Sequence, residues 1–313
     1  MTILVADIGG TNTRVALVKE DATAPHSVAR FRNAEFSSLE AVLDRYLTDL
    51  GRPPCTAACV AVAGPVRNGV GRMTNLAWEM DSERLCAATG AARGYVINDL
   101  EAQGHALENV PTRCLMGTPM PQETDETRLV VGLGTGFNAA PVHAGEGAQY
   151  TVVPSECGHI SLPVWDETSM ALAMELAAVH EFASVEEALS GRGLMAVHAH
   201  VAGEAAWATT VELIEALQGL EVRDVDCDTM RLFCQLLGRV LGDLALVHLP
   251  FGGIYLIGGL ARAVSPFFVE GTLPEAFADK GRFREFMADF SLYLVEDDYA
   301  ALTGCARYVG RQI

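Results

Sequence analysis

The chain has 313 residues, 50% of them hydrophobic, and its 22 Lys and Arg residues against 40 Asp and Glu residues give a formal net charge of −18 at pH 7. This length and apolar content are enough for two ordinary domains, which excludes a disordered protein. The acidic balance excludes nucleic acid as a binding partner, because a polyanion would be repelled on average.

Nothing in the sequence has the pattern of a targeting or membrane segment. The run 1–10 lacks a basic region and contains Asp7, so it does not fit a secretory signal. The most apolar segments, near 170–183 and 232–249, are interrupted by charged residues before they reach membrane-spanning length. The eight cysteines include no C-x-x-C pair, which fits reduced thiols. We therefore predict a cytoplasmic protein with no membrane partner.

Short apolar runs that end in Gly, Asn or Asp alternate with longer segments of helical period, and this predicts an α/β protein. The predicted strands are 3–6, 15–18, 57–63, 95–97, 129–132, 151–153, 254–257 and 292–295. The predicted helices are 38–50, 100–107, 170–182, 185–189, 193–202, 207–217, 229–249 and 282–288. The polar, proline-bearing segment 111–127 is the predicted linker between two α/β blocks.

The first glycine turn follows the strand 3–6. Asp7 ends this strand, and Gly9, Gly10, Thr11 and Asn12 form a tight turn before the next strand. Glycine allows positive φ and lets a phosphate approach the backbone closely, while the threonine adds a hydrogen-bond donor. Asp7 is placed to hold a hydrated divalent metal that bridges nucleotide phosphates. Taken alone, the same pattern also fits a plain turn.

Two further glycine turns end predicted strands. The first, 132–136, loosely repeats the turn after Asp7 and suggests a second phosphate loop from a second domain. The other is Gly258-Gly259, where a flat adenine would lie against the backbone. The alternative for each turn is an ordinary connection between a strand and a helix.

Asn98 and Asp99 follow the strand 95–97, at the end where α/β sheets bind ligands. Phosphoryl transfer to an alcohol needs a group that accepts the hydroxyl proton, and the Asp99 carboxylate fits that role. The alternative is that both residues only cap the helix beginning near Leu100.

A third set of polar residues suits sugar hydroxyls. Glu156 and His159 lie on one turn, and Glu186 lies on a predicted helix further along the chain. A carboxylate accepts hydrogen bonds from two vicinal hydroxyls, and histidine donates to or accepts from a third. For Glu186 the alternative is a solvated helix face.

Together and in this order, these segments resemble the bacterial glucokinase family, within the larger group that shares the actin and hexokinase fold. The resemblance spans nearly the whole chain and is carried by residues 7–12, 73–78, 97–99, 134–136, 156–159, 189–191 and 279–283. It implies a two-domain, actin-like (ribonuclease-H-like) ATPase fold with an interdomain cleft. The implied small domain is 1–110, joined by 297–313, and the implied large domain is 111–296. A homodimer is also implied.

The resemblance further implies ATP and Mg²⁺ as cofactors, with phosphorylation of the 6-hydroxyl of D-glucose. Asp99 is then the catalytic base, Asp7 carries Mg²⁺ through water, and glucose contacts Asn98, Glu156, His159 and Glu186. The nucleotide is implied to lie against Ala6, Asp7, Ile8, Gly9, Gly10, Thr11, Gly134, Thr135, Gly136, Gly258 and Gly259.

The sequence departs from the family pattern at two places near this site. Cys157 replaces a common glycine, and Phe137-Asn138 stand where smaller residues are usual. One hypothesis is that Cys157 narrows or re-aims the sugar pocket and makes activity sensitive to thiol reagents. The alternative is a tolerated side chain that faces away.

Two other functions remain open at this stage. A kinase for fructose, mannose or an amino sugar would keep the mechanism and change only the pocket. A non-catalytic sugar-binding regulatory protein is disfavoured, because both Asp7 and Asp99 are present. The related ROK class of sugar kinases and repressors is also disfavoured, because its zinc-binding cysteine cluster is missing after Gly158-His159.

Overall fold

A computed structural model describes residues 2–19, 24–73, 76–121, 124–145, 150–203, 207–219, 223–268 and 272–312. Residues 74 and 75, part of the motif 73–78, lie outside the described residues. The chain divides into two compact units. The first comprises Met1–Val110, Gly145–Pro154 and Tyr299–Ile313, and the second comprises Pro111–Ala144 and Ser155–Asp298.

The first unit is built on a mixed sheet. Its strands are β1 (Thr2–Ile8), β2 (Asn12–Lys19), β3 (His26–Arg32), β4 (Ala57–Val62) and β8 (Arg93–Asn98). Three small strands, β5 (Val66–Arg67), β6 (Val70–Arg72) and β7 (Glu79–Met80), lie between β4 and β8 in the chain. The order is β3-β2-β1-β4-β8, with β1, β4 and β8 parallel and β2 antiparallel to both its neighbours. The helices are α1 (Leu39–Asp49), α2 (Ser82–Thr89) and α3 (Asp99–Ala106), joined by the C-terminal α11 (Ala300–Gly310).

Helices cover both faces of this sheet. One apolar cluster joins the sheet to α1 and α2, and the other joins it to α3 and α11. Every residue of β4 is therefore buried, which is the pattern of a parallel strand enclosed on both sides. The small residues of β4 let the flanking helices pack closely.

The second unit contains β9 (Thr112–Met116), β10 (Arg128–Leu133), β11 (Phe137–Ala144), β13 (Ile254–Ile257) and β14 (Leu292–Val295). The short strand β12 (Tyr150–Val152), which comes between β11 and β13 in the chain, belongs to the first unit. Within this unit the strands follow the order β11-β10-β13-β14-β9. Its helices are α4 (Glu167–His180), α5 (Val185–Ala188), α6 (Gly191–Ala202), α7 (Thr210–Gln218), α8 (Asp224–His248), α9 (Gly259–Val264) and α10 (Thr272–Ala278).

The two units share one strand arrangement. In the first, β1 pairs antiparallel with β2 and parallel with β4, and β4 pairs parallel with β8. In the second, β10 pairs antiparallel with β11 and parallel with β13, and β13 pairs parallel with β14. The glycine turns at 9–12 and 134–136 therefore join corresponding strands of the two units, β1 to β2 and β10 to β11.

The structure corrects several predicted elements. The predicted linker 111–127 contains β9, which pairs with β14 and closes that side of the second sheet. The predicted helix 282–288 is instead two short 3₁₀ turns, Gly281–Phe283 and Phe286–Asp289. The rings of Phe283, which ends the first turn, and Phe286, which begins the second, pack edge to face with centroids 5.8 Å apart.

Candidate active site

In the first unit, three parallel strands end at the same edge of the sheet. Ile8 at the end of β1 pairs with Val62 at the end of β4, and Val62 pairs with Asn98 at the end of β8. Two strand spacings separate β1 from β8, so the two strand ends lie roughly 10 Å apart. The first glycine turn and the predicted base Asp99 therefore share one edge.

The turn after β1 is tied down by its own backbone and by one asparagine. The Gly9 N–H donates to the Asn12 carbonyl over 3.0 Å. Asn33 Nδ2 donates to the Gly9 carbonyl over 2.7 Å, and the Asn33 N–H donates to the Thr11 carbonyl over 2.9 Å. No sequence pattern singled out Asn33, because its role depends on a contact 24 residues away in the chain.

The glycines of this turn do not adopt the positive φ that the sequence suggested. Gly9 and Gly10 are not among the described residues with positive φ. A β-carbon added at Gly9 would lie 3.4 Å from the Asn12 carbonyl oxygen, so it would meet only a mild contact. The fold itself would thus tolerate a side chain at Gly9, and the close approach of a phosphate to this backbone stays a prediction.

Asp7 forms an ion pair across the same hairpin. Arg14 Nη1 lies 2.9 Å from Asp7 Oδ2, and the two residues are paired in the β1–β2 register. Burial raises the pKa of Asp7, and the Arg14 guanidinium opposes that shift. Sequence reasoning missed Arg14, although hairpin pairing around the turn 9–12 would have brought it opposite Asp7.

Asn98 is the N-cap residue of α3. Its Oδ1 accepts hydrogen bonds from the N–H groups of Leu100 (2.9 Å) and Glu101 (3.4 Å), and its Nδ2 donates to the Gly64 carbonyl over 3.0 Å. Asn98 therefore caps α3, as the alternative stated. These bonds use one of its two Nδ2 hydrogens, and the other could donate to a ligand. Asp99 is the first residue of α3 and is partly buried, and its Oδ1 accepts from the Leu100 N–H over 3.0 Å.

In the second unit, the turn between β10 and β11 is held by close contacts. The Gly134 N–H donates to the Gly136 carbonyl over 3.0 Å, and the Gly191 N–H donates to the Gly134 carbonyl over 2.9 Å. Gly258 has φ +120°, and a β-carbon there would lie 2.4 Å from the Leu133 carbonyl oxygen. The turn Gly134–Gly136 and the pair Gly258-Gly259 therefore lie side by side at one sheet edge.

Glu186 lies against that turn. Its Oε2 accepts from the Phe137 N–H over 3.0 Å, and its Oε1 accepts from Arg192 Nη2 over 2.7 Å. The side chain is 18% exposed, so the alternative of a solvated helix face does not describe it. Glu186 buttresses the glycine turn, and its contact with glucose stays a prediction. Arg192 was missed in the sequence, where only its position near Glu186 hinted at a pair.

Glu156 precedes a short 3₁₀ turn, Cys157–His159, and His159 is the last residue of that turn. Both side chains are exposed, and the His159 N–H donates to the Glu156 carbonyl over 3.0 Å. A β-carbon at Gly158 would lie 1.9 Å from the Phe137 carbonyl oxygen, so glycine is required for this segment to pack on β11. The segment therefore lies next to the second glycine turn, and its contact with a sugar stays a prediction.

Cys157 faces Asn138 on β11. Its Sγ lies 3.4 Å from Asn138 Oδ1, which also accepts the Cys157 N–H over 3.0 Å. Burial raises the pKa of the Cys157 thiol, which lowers its thiolate fraction and its reactivity. The raised pKa weighs against the hypothesis that this thiol makes activity sensitive to alkylation, and both that hypothesis and its alternative stay predictions.

No group of three or more His, Cys, Asp or Glu side chains with metal-binding geometry occurs among the described residues. A magnesium ion that keeps several waters and binds mainly to phosphates needs only one or two carboxylates, so Asp7 fits this requirement. Over the same part of the chain, no helix has the length and apolar character to cross a bilayer.

Two glycine hairpins on sheets of one topology, with carboxylates at the strand ends, define a phosphotransferase of the actin-like ATPase fold. A family model described as Glucokinase matches residues 4–312. The chain belongs to the glucokinase family, and the predicted family and enzyme class are confirmed.

Individual similarities agree with this family. A glucokinase from Marinobacter nauticus is 32% identical over 322 residues, which cover 98% of this chain and 97% of the relative. The crystal structure of a glucokinase from an Antarctic psychrotroph is 30% identical and superposes with a TM-score of 0.84 over 99% of both chains. A ROK family glucokinase from Streptomyces griseus, crystallised with glucose and AMPPNP, is 17% identical with a TM-score of 0.71 over 100% of both chains. The predicted fold class is confirmed.

Proposed function

We propose that this protein catalyses the ATP-dependent phosphorylation of the 6-hydroxyl of D-glucose, giving glucose 6-phosphate and ADP. The observation that carries the proposal is the register of β1, β4 and β8, which brings the first glycine turn and Asp99 to one edge. Phosphoryl transfer needs a held γ-phosphoryl group and an acceptor for the hydroxyl proton, and this edge offers a candidate for each. Membership of the glucokinase family supports glucose as the substrate.

Asp99 is the proposed base. It begins α3, where the positive end of the helix dipole favours the ionised carboxylate that a base requires. The carboxylate accepts the proton of the sugar 6-hydroxyl as the oxygen attacks the phosphorus atom, and ADP leaves on the opposite side.

Each glycine turn is proposed to contact ATP, as the family resemblance implies. The Thr11 hydroxyl and the N–H groups of Gly10 and Thr11 in the first turn, together with those of Thr135 and Gly136 in the second, are proposed to donate to phosphate oxygens. Gly9 and Gly134, whose own N–H groups are bonded within the turns, are proposed to let the phosphates approach the backbone closely. The backbone at Gly258-Gly259 takes the adenine ring. ATP as donor is supported by the family and by the AMPPNP bound in the Streptomyces griseus structure.

Asp7 is proposed to bind a hydrated Mg²⁺ through water. One of its oxygens is bound to Arg14, which orients the carboxylate. The chemistry that Mg²⁺ supplies when bound is neutralisation of the charge on the phosphate oxygens. Burial raises the pKa of Asp7 on balance, and the Arg14 guanidinium opposes that shift and so favours the ionised form that this role needs.

Glucose is proposed to contact Asn98, Glu156, His159 and Glu186. Carboxylates that accept from vicinal hydroxyls, and an amide that donates, read the hydroxyl pattern of a hexose. Glu156 and His159 are exposed and so accessible to a sugar. We also propose a cytoplasmic homodimer, as the family resemblance implies. Exposed apolar side chains on and beside α4 support the dimer, namely Met170, Met174, Val179 and Phe182.

The test is a substitution of the base. Asp99→Ala is expected to lower kcat for glucose phosphorylation by a factor of about 10²–10⁴, the usual contribution of a positioned base. Glucose binding, measured by calorimetry, is expected to persist. Asp99→Asn keeps an acceptor for the Leu100 N–H and separates loss of the base from loss of helix capping.

Asp81→Ala is the matched control. Asp81 is also an aspartate at a helix start in the first unit, where it accepts from the Arg84 N–H over 2.8 Å. Its loss is expected to cost about 1 kcal/mol of stability and no turnover at saturating substrate. Turnover by Asp99→Ala that equals the turnover of the control would refute the assignment of the base.

A further inference from the structure

Asn138 makes more hydrogen bonds around the predicted sugar segment than its place on a strand requires. It is the second residue of β11, two positions after the second glycine turn. Its Nδ2 donates to the Ser155 carbonyl over 2.5 Å and to Glu156 Oε2 over 3.3 Å. Its Oδ1 accepts from the Cys157 N–H over 3.0 Å. The amide thus contacts three successive residues.

This set of contacts needs an amide. A carboxamide supplies two N–H donors and a carbonyl acceptor, whereas a carboxylate only accepts and an ammonium only donates. Asn138 uses its donors on a carbonyl and a carboxylate, and its acceptor on an N–H. Aspartate, which has nearly the same shape, would keep the bond from Cys157 and lose both bonds to Ser155 and Glu156.

Glu156 is a side chain whose orientation needs such a hydrogen-bond donor. It is exposed, it precedes the 3₁₀ turn Cys157–His159, and its side chain makes no capping bond to that turn. A free glutamate samples many rotamers, and fixing it costs conformational entropy when a ligand binds. Among the described residues, Asn138 is the side chain that hydrogen-bonds to the Glu156 carboxylate.

We propose that Asn138 is a positioning residue for sugar binding, whose amide holds Oε2 of Glu156 so that the carboxylate is pre-oriented for vicinal hydroxyls. This inference rests on the proposed function. Asn138 also follows Phe137, whose N–H is bound by Glu186, so one short piece of β11 orders both the glycine turn and the sugar segment. Asn138 acts on the sugar through Glu156, and it takes no part in proton or phosphoryl transfer.

The test is a double-mutant cycle on glucose binding. Asn138→Ala is expected to raise the glucose KM and the calorimetric Kd about tenfold, the scale of a hydrogen bond to a charged group. The values of kcat and of the KM for ATP are expected to stay within about threefold. In a Glu156→Ala background the same substitution is expected to change glucose Kd less than about twofold, because its target is gone.

Asn138→Asp is a second variant for the case that Asn138→Ala fails to fold, since it preserves the side-chain volume and the hydrogen bond from the Cys157 N–H. It places a carboxylate next to Glu156, so it is expected to weaken glucose binding at least as much as Asn138→Ala. His143→Ala is the control, an exposed position at the far end of β11. It is expected to bind glucose like the unaltered protein.

Three results would overturn the positioning role. They are glucose Kd unchanged in both Asn138 variants, an equal loss with and without Glu156, and a fall confined to kcat. These results leave the proposed function intact. Absence of glucose phosphorylation by the unaltered protein would instead refute the proposed function, and calorimetry with glucose would still measure the effect of Asn138.

Discussion

The glycines near the candidate site in the second unit differ in how much space surrounds a methyl group added at the α-carbon. At Gly136 it would lie 2.5 Å from Glu186 Oε2, and at Gly158 it would lie 1.9 Å from a backbone oxygen. At Gly134 nothing lies within 4 Å, and its φ is not positive. Gly136 and Gly158 therefore serve packing, whereas Gly134 leaves open space that a ligand can use.

Gly134→Ala tests whether a phosphate uses that space. The fold accommodates the methyl group, so the melting temperature is expected to match that of the unaltered protein. The KM for ATP is expected to rise at least tenfold, about 1.4 kcal/mol, because the phosphate cannot approach the backbone as closely. Steady-state kinetics with ATP varied at saturating glucose measure the effect.

A control separates this effect from a general one of alanine. Gly310→Ala also introduces a methyl group into open space, at the end of α11. It is expected to leave the KM for ATP unchanged. If Gly134→Ala behaves in the same way, the phosphates do not lie against Gly134.

The sequence predicted site residues whose chemistry is local and missed those whose role depends on pairing. Asp7 and Asp99 were predicted because each comes at the end of an apolar run in the sequence. Arg14 and Asn33 were missed, since their partners are fixed by strand register and a loop contact. Asn138 was noted only as a departure from a family pattern, because its hydrogen bonds to residues 155–157 exist only once β11 has formed.

At the scale of elements, the contact between α3 and α11 fixes the helix that carries Asp99. Gly304 of α11 lies so close to α3 that a β-carbon there would be 1.6 Å from the Ala102 carbonyl oxygen. Ala102 is itself fully buried. Because the obstacle is backbone, no rotamer change relieves it, and one helix has to move.

Gly304→Ala is expected to destabilise the protein by about 3 kcal/mol, the upper range for overpacking a core. Chemical unfolding measures this loss. Gly310→Ala, in the same helix and with no neighbour within 4 Å, is expected to leave the free energy of unfolding unchanged or raise it slightly. Equal stability of the two variants would contradict the close packing of α3 on α11.

The sequence predicted elements with a strong period and missed those without one. The strands β1, β4 and β10 are apolar runs bounded by turn residues and were predicted. β11 was missed, since it contains Pro141 and small residues in place of an alternation. α11 was missed because most of its residues are small and buried, so few polar positions mark a side that faces solvent. Such elements are defined by tertiary contacts and not by local sequence.

At the scale of the whole molecule, two effects of pH oppose each other. The chain carries a net charge of −18 at pH 7 and has a pI near 4.8, so acidification towards pH 5 relieves repulsion among carboxylates. Buried histidines act in the other direction. His105 is 6% exposed, and burial, helped by the Arg311 guanidinium, lowers its pKa from 6.5 to about 4.

His105 thus stays neutral in the folded protein at a pH where the unfolded chain binds a proton. Below pH 6.5 the unfolded state gains protons that the folded state does not, so the stability from His105 is lost as the pH falls towards 4. Between pH 7 and pH 5 the expected loss is about 2 kcal/mol. It adds to any change that the net charge causes.

His105→Gln isolates this contribution. Glutamine does not titrate, and its carbonyl oxygen can accept the hydrogen bond that Arg311 Nη1 donates to His105 Nδ1 over 3.1 Å. Urea unfolding of both proteins between pH 7 and pH 5 is expected to show a smaller loss of stability in the variant, by about 2 kcal/mol. Two other histidines with lowered pKa values, the buried His198 and the half-buried His248, occur in both proteins and cancel in the comparison. Parallel pH profiles would mean that His105 takes up a proton as readily in the folded protein as in the unfolded chain.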